Sequence, residues 1–274
     1  MGFLPDVYIC FTTIPSRLTG SVKSVLDSHM RQTYAQVKGI LLTVPRENMR
    51  GMTVSDTLPP WLDTQPYASK VTVLRPQKDH GPIMKYLGGR TSVPQDAWAF
   101  VCDDDQCFSP DCIDTWVKLI GRKDVPASVR STHVHNPSSL KSGVQYSWAH
   151  MEGYQGLLVS RQFLDMVHRE FDPSLPQFCL RVDDDLVSLY ARDNGYVKVI
   201  MPDKLIRGSV RNPDALSRMY DRDRDRHQTH ALCNSKYLRN LETGTVLFAG
   251  LTCVSATVLI IAVYFLCRRR SAAA

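Results

Sequence analysis

The sequence predicts an α/β fold with a mainly parallel central sheet, together with one C-terminal transmembrane helix. Short apolar runs alternate with segments of helical periodicity, which is typical of parallel strands covered by helices. An aspartate triplet, 103–105, directly follows one of the apolar runs. A run of 24 residues without a charged side chain, 244–267, lies near the end of the 274-residue sequence.

The first half of the chain is predicted to alternate strands and helices. Strands are expected at four apolar runs: 7–11, 39–44, 70–74 and 97–102. A helix is expected to begin at Ser16 as its cap, with apolar residues at helical spacing: Leu18, Val22, Val25, Leu26 and Met30. A second helix is predicted at 111–120 after a Ser-Pro cap at 109–110, and the proline-rich segment 46–69 is predicted as a loop.

The second half is predicted to continue this alternation. The expected strands are 144–148, 157–160 and 196–201, and the expected helices are 161–170 and 184–193. Residues 203–243 are polar, and the alternating charges at 221–226 predict a solvated surface segment. The predicted organisation is a globular domain at 1–202, a polar juxtamembrane segment at 203–243, a transmembrane helix at 244–267 and a short basic tail at 268–274.

Composition excludes some function classes. The formal net charge is +6, and the three arginines at 268–270 supply half of it, so no nucleic-acid surface is predicted. The eight cysteines indicate neither a disulfide scaffold nor the short paired spacing of a zinc site. Most are expected to be reduced and buried, which favours a cytosolic environment.

The uncharged run 244–267 predicts a single-pass tail anchor. As a helix it extends roughly 36 Å, against a hydrocarbon core of ~30 Å. A buried core helix is the alternative, which the length of the run disfavours. No signal peptide is recognised, so the preceding domain is expected to face the cytosol. The arginines at 268–270 oppose that orientation, whereas Lys236 and Arg239 support it.

The first triplet predicts a metal site. Its carboxylates come at the carboxyl end of an apolar strand, where ligands bind in open α/β sheets. Three adjacent carboxylates repel one another unless a cation neutralises them, and oxygen ligands suit Mg²⁺ or Mn²⁺. The alternative is an acidic turn after a strand.

A second triplet, 183–185, begins a predicted helix in the other half. One interpretation is an acidic first turn that complements the helix dipole. The other joins the two halves: a metal beside the first triplet stabilises a nucleoside-diphosphate leaving group, and a carboxylate of the second takes a proton from an incoming hydroxyl.

The chain resembles the GT-A glycosyltransferases, which carry a D-x-D motif after a strand of a nucleotide-binding sheet, a motif that the triplet 103–105 fits. More narrowly, five segments in order make it resemble a group found in large DNA viruses and algae. The segments are T-I-P-x-R at 13–17, V-P at 44–45, D-Y-G-P-x-x-K at 79–85 with His80 in place of Tyr, G-Y-x-G at 153–156 and D-D at 184–185. The resemblance covers about 7–201 and implies a Rossmann-like GT-A fold.

The resemblance also implies roles for individual residues. Asp103 and Asp105 are expected to hold Mn²⁺ or Mg²⁺, and Asp185, or else Asp184, to act as the base of an inverting reaction. The residues expected near the nucleotide sugar are Thr12, Thr13, Arg17, Asp79, Lys85, Asp104 and Gly156. A helix-surface charge is the alternative for Arg17, and a solvated side chain is the alternative for Lys85. His227 or His230 is an additional candidate metal ligand.

The sequence therefore predicts a membrane-anchored, metal-dependent glycosyltransferase that moves a sugar from a nucleotide sugar to a hydroxyl on a glycan, glycoprotein or glycolipid. If the protein is viral, its membrane is that of the host or the virion. One alternative is a sugar nucleotidyltransferase, although the glycine-rich phosphate loop of such enzymes is missing after the first strand. The other is a tail-anchored sugar-binding protein without catalysis.

Overall fold

An eight-stranded mixed sheet organises the part of the chain that the structure describes. The structure, a computed structural model, describes residues 4–49, 57–121, 131–134, 143–144, 151, 153, 156–196, 198–201, 206–209, 224–225, 227–229 and 231–232. In chain order the strands are β1 (Val7–Thr12), β2 (Val37–Thr43), β3 (Val71–Leu74), β4 (Trp98–Val101), β5 (Gln106–Phe108), β6 (Ser131–Val134), β7 (Gly143–Val144), β8 (Leu157–Ser160), β9 (Lys198–Met201) and β10 (Ile206–Ser209). The large sheet has the order β3-β2-β1-β4-β8-β6-β9-β7, and β5 pairs with β10 separately.

Strand directions determine which chain ends meet at one edge of the sheet. The four strands β3, β2, β1 and β4 are parallel neighbours, whereas β8 runs antiparallel to β4, with Leu157 beside Val101. The carboxyl ends of β1 and β4 and the beginning of β8 therefore lie at the same edge. The predicted α/β fold with a mainly parallel central sheet is confirmed.

Eight helices whose bounds the structure describes accompany these strands, in addition to helical residues within 224–232. They are α1 (Pro15–Leu18), α2 (Val22–Met30), α3 (Tyr67–Lys70), α4 (Met84–Leu87), α5 (Cys112–Ile120), α6 (Arg161–Glu170), α7 (Gln177–Leu180) and α8 (Asp183–Asp193). Three short 3₁₀ turns are found at Pro60–Asp63, Gly81–Ile83 and Arg90–Ser92. The chain divides into two compact units, 1–229 and 230–274, and all of these elements belong to the first.

The core of the first unit packs aromatic side chains of β4 and α5 together. Phe100 and Trp116 are fully buried, with ring centroids 4.9 Å apart. Gly156 has a φ of +90°, and a Cβ there would lie 2.8 Å from atoms of both rings. A glycine at this position therefore lets the chain enter β8 against the aromatic pair.

Most predicted elements are confirmed, with shifts of one or two residues at their ends. The helix expected from Ser16 is wrong as a single element, because the chain turns at Thr19 to Ser21 between α1 and α2. Ser16 is not the cap: Pro15 occupies the first turn of α1 and Ile14 precedes it. Gly20 in the break is a poor helix former.

Three further predictions differ from the structure. The helix α5 begins at Cys112 rather than after a 109–110 cap, because the Pro110 carbonyl accepts a hydrogen bond from the Thr33 amide before the helix starts. The predicted loop 46–69 contains the turn Pro60–Asp63 and most of α3. The strands β5, β6 and β10 were not predicted, and β10 pairs with β5 from within the segment expected to be polar.

Several predictions fall on residues outside the described part. These include most of the strand expected at 144–148, the candidate ligand His230, and the anchor 244–267. Within the described ranges, no helix has the length and apolar character needed to cross a membrane.

Candidate active site

The first triplet lies at the carboxyl end of β4, in the middle of the sheet. The buried Asp104 carboxylate accepts a 2.5 Å hydrogen bond from Thr13 Oγ1 and forms an ion pair with Arg17. Thr13 and Arg17 follow β1, which is the parallel neighbour of β4. Three of the residues predicted near the nucleotide are therefore in contact with one another. The helix-surface alternative for Arg17 is wrong.

The surroundings of Asp104 have two opposing effects on its ionisation. Burial raises the pKa of Asp104 to about 6, although Arg17 and the Thr13 hydroxyl favour the ionised form. The local sequence places these partners, because Pro15 begins α1 directly after β1 and brings Arg17 back over the strand end.

Lys85 joins the two aspartate triplets. Its side chain is only 1% exposed, so the solvated alternative for this lysine is wrong. The ammonium Nζ lies 2.7 Å from Asp103 Oδ1, 2.8 Å from Asp183 Oδ2 and 3.8 Å from Asp184 Oδ1. One cation thus contacts carboxylates from both halves of the chain.

The charge of Lys85 is maintained by these neighbours. Burial alone would lower the pKa of Lys85, but the carboxylates of Asp103, Asp183 and Asp184 together raise it well above its usual value. The surrounding carboxylates therefore favour the ammonium form of Lys85.

Gly153 supports this cluster from before β8. Its amide donates a 2.8 Å hydrogen bond to Asp184 Oδ1. A Cβ at this position would lie 2.7 Å from Lys85 Nζ and 2.9 Å from Asp184 Oδ1. The backbone at Gly153 therefore approaches the lysine and the carboxylate closely. The G-Y-x-G motif identified this glycine, but nothing in the sequence indicated its partners.

The second triplet forms the first turn of α8 and is buried at all three positions. Burial and the adjacent Asp183 raise the pKa of Asp184 to about 7, while Lys85 and the Gly153 amide act in the opposite direction. The helix position agrees with the dipole interpretation. The contacts with Lys85 and Gly153 show that this turn also belongs to the cluster.

Asp79 shapes the turn that leads to Lys85. Its Oδ1 accepts a 2.7 Å hydrogen bond from the Gly81 amide, and its Oδ2 accepts one of 3.1 Å from the Met49 amide. Gly81 has a φ of +81°, and a Cβ there would lie 2.6 Å from the Leu180 carbonyl oxygen. A contact of Asp79 with a nucleotide stays a prediction.

The remaining predicted residues lie at the margins of this cluster. Thr12 Oγ1 donates a 3.2 Å hydrogen bond to the Thr43 carbonyl of β2, so the hydroxyl is engaged with the sheet. Gly156 packs against the aromatic core, as described above. His227 is exposed.

Asp103 and Asp105 have the donor chemistry of a hard-cation site. Asp103 is 32% exposed, and Asp105 is half-buried, with Oδ1 accepting a 3.1 Å hydrogen bond from the Gln106 amide group. Among the described residues, no three His, Cys, Asp or Glu side chains are grouped so as to hold a metal ion. Mg²⁺ at a phosphate site commonly takes only one or two protein carboxylates. The two aspartates therefore fit a metal whose other ligands come from a diphosphate and water.

Comparison with known proteins identifies the fold. No protein-family model and no curated protein matches the sequence. Among solved structures, residues 1–349 of TarS from S. aureus match with a TM-score of 0.54 at 10% identity, over 73% of this chain and 59% of that one. GalNAc-T7, solved with UDP, GalNAc and Mn²⁺, matches with a TM-score of 0.54 at 11% identity, over 77% of this chain and 44% of that one.

These two structures are GT-A glycosyltransferases, so the first unit has a GT-A-like fold. The chain spans less than two thirds of either of them. At such low identity the likeness establishes the fold alone.

Proposed function

We propose that the protein is a metal-dependent, inverting glycosyltransferase that moves a sugar from a nucleotide sugar to a hydroxyl acceptor. The observation that carries the proposal is the meeting of two carboxylate triplets around Lys85 at the carboxyl edge of a GT-A-like sheet. The GalNAc-T7 structure, which contains UDP, GalNAc and Mn²⁺, supports a nucleotide-sugar donor and a divalent metal.

On the donor side, the partly exposed carboxylates of Asp103 and Asp105 would hold Mn²⁺ or Mg²⁺. Such a metal would supply stabilisation of the negative charge on the departing diphosphate. Thr13, Arg17 and Asp104 form a connected group at the end of β1, which suits the ribose and base. Lys85 lies between the two triplets, where its ammonium adds positive charge on the diphosphate side.

On the acceptor side, Asp185 or Asp184 takes the proton from the incoming hydroxyl. The hydroxyl oxygen forms the new bond to the anomeric carbon as the bond to the diphosphate oxygen breaks. The nucleoside diphosphate leaves, and direct displacement inverts the anomeric configuration. Gly153 and Lys85 orient Asp184, and the first turn of α8 holds both carboxylates.

We further propose that 244–267 anchors the enzyme in a membrane, with the catalytic unit on the cytosolic side. A glycan, glycoprotein or glycolipid near that membrane is then the acceptor. The length of the run and its lack of charged residues support this proposal.

The test is release of nucleoside diphosphate by the full-length, detergent-solubilised chain, with a panel of nucleotide sugars and Mn²⁺. We expect slow donor hydrolysis with one donor, abolished by excess chelator and by Asp105→Ala, while Asp114→Ala, on the surface of α5, retains it. Full activity in excess chelator would overturn the metal requirement. Pyrophosphate release from a nucleoside triphosphate and a sugar phosphate would instead indicate the nucleotidyltransferase. Donor binding without turnover would indicate the binding protein.

A further inference from the structure

A buried ion pair connects the chain after β10 to Arg181, two residues before the second triplet. Asp225 Oδ2 lies 2.7 Å from Arg181 Nε, and Asp225 Oδ1 lies 2.9 Å from Arg181 Nη2. The Asp225 side chain is 1% exposed and that of Arg181 is 12% exposed. Both carboxylate oxygens are engaged, and two parallel bonds fix the relative orientation of the groups.

Asp225 departs from the solvated segment that its alternating charges predicted. It lies in a helical stretch with Thr229, whose Oγ1 donates a 2.8 Å hydrogen bond to the Asp225 carbonyl. Thr229 is fully buried and also hydrogen-bonds Cys179 of α7. This stretch therefore contacts α7 as well as the residue that follows it.

The opposite side of the same junction packs against the turn that leads to Lys85. The Leu180 carbonyl, at the end of α7, approaches Gly81 so closely that a Cβ there would lie 2.6 Å from the oxygen. Arg181 follows Leu180, and α8 begins two residues later. The residues directly before the second triplet thus contact both the Gly81 turn and the helical residues around Asp225.

We propose that Arg181 and Asp225 are positioning residues for the second triplet, so that the chain after β10 is part of the catalytic machinery. This inference rests on the proposed function, because it assigns the pair to the carboxylate that acts as base. Loss of the bidentate pair frees the junction between α7 and α8. The Asp183 and Asp184 carboxylates, held at 2.8 and 3.8 Å from Lys85 Nζ, then shift from their working positions. A misplacement of about 1 Å in a catalytic group can cost about 100-fold in rate.

The experiment measures kcat for donor hydrolysis, donor Kd and the melting temperature of full-length Asp225→Asn. The matched control is Asp165→Asn. Asp165 lies on α6, outside the cluster, and forms an ion pair with Arg90. We expect Asp225→Asn to lower kcat by about 10- to 100-fold with donor Kd within about threefold of wild type. Arg181→Lys, which keeps the charge and loses the bidentate geometry, should show a smaller loss. Asp165→Asn should retain kcat.

A kcat within threefold of wild type in folded Asp225→Asn would overturn the inference, as would an equal loss in Asp165→Asn. If Asp225→Asn does not fold, the same two comparisons are made with Arg181→Lys. Failure of the proposed function is a different result, because the wild-type chain then releases no nucleoside diphosphate from any donor.

Discussion

The two aspartate triplets have the same sequence and opposite surroundings. In the first, only Asp104 is buried, and Asp103 and Asp105 remain partly open at the end of β4. In the second, all three carboxylates are buried in the first turn of α8. A lysine and a backbone amide from the protein itself approach the second triplet.

The difference teaches that one sequence motif can be placed in two electrostatic environments. The partly exposed carboxylates of the first triplet have the chemistry to bind a divalent cation. The buried second triplet has part of its charge offset by an ammonium group of the protein itself. Lys85 contacts both triplets, so a substitution of Lys85 affects both environments at once.

Removing the shared cation should have the largest effect. Lys85→Met keeps much of the volume but leaves buried carboxylates around an apolar side chain. Breaking a buried ion pair from one side costs about 3–5 kcal/mol, so we expect that loss in the free energy of unfolding and no measurable turnover. Chemical denaturation measures it. Lys118→Met, 74% exposed and paired with Asp114, is the control and should change stability by less than about 1 kcal/mol. Equal stability of the two variants would show that the contacts of Lys85 with the carboxylates do not stabilise the fold.

Removal of the proposed general base should have the second largest effect. Asp185→Asn and Asp184→Asn preserve shape and remove basicity, and loss of a general base lowers the rate by about 10²–10⁴-fold. One of the two variants should show this loss in kcat while donor binding by calorimetry is retained. Normal turnover in both would make the second triplet structural. A product with retained anomeric configuration would count against direct displacement.

Gly153→Ala should disturb the surroundings of the second triplet with a smaller effect. The added Cβ meets Lys85 Nζ and Asp184 Oδ1 at under 3 Å, so both side chains must move. Overpacking of this kind costs about 1–3 kcal/mol, which thermal unfolding can detect. Gly20→Ala is the matched control, since its Cβ would have its nearest contact at 3.7 Å. Similar melting temperatures for the two variants would show that the cluster tolerates a methyl group.

A buried histidine, His29, contacts the residue that precedes the first triplet. Burial lowers the pKa of His29 to about 3, and its Nε2 lies 3.5 Å from the Sγ of Cys102, which precedes Asp103. The unfolded chain binds this proton below its usual pKa near 6.5, while the folded chain does not. The contribution of His29 to stability should therefore fall as pH drops from about 6.5 to 3, by up to about 1.4 kcal/mol per unit. Asp104 and Asp184 act in the opposite direction, because their raised pKa values let the folded chain bind protons that the unfolded chain does not.

Denaturation midpoints of wild type and His29→Leu across this pH range isolate the contribution of the histidine. The stability of His29→Leu relative to wild type should rise as pH falls, and that of His168→Leu, which alters an exposed residue of α6, should not. A pH-independent difference between His29→Leu and wild type would assign the acid sensitivity to other groups.

Much of the fold was predictable because its signals are local. The apolar runs of β1 and β4 and the periodicity of α6 lie within single elements, and the first triplet's position at a strand end follows from adjacency in sequence. The strands β5 and β10 were missed because each is short and gains its stability from pairing with the other. The break between α1 and α2 was missed because the apolar spacing continues across Gly20.

The partners in the site were less predictable than its members. Lys85 was identified by its motif, but its contacts with Asp103 and Asp183 depend on where α4 and α8 pack, which no local pattern encodes. Asp225 shows the same limit more sharply. In a run of alternating charges, no sequence pattern indicates that Asp225 is buried by its pairing with Arg181.

The antiparallel direction of β8 brings two fixed points of the chain close together in sequence near the site. Leu157 is fixed beside Val101 by strand register, and Gly153 is fixed to Asp184 by its amide, so only three residues connect the two attachment points. The last of the three is Gly156, whose φ is +90° and whose added Cβ would meet two core aromatic rings at 2.8 Å. A side chain at this position therefore strains the backbone and the aromatic core together. Sequence variation in this short connection is constrained most strongly at its last residue.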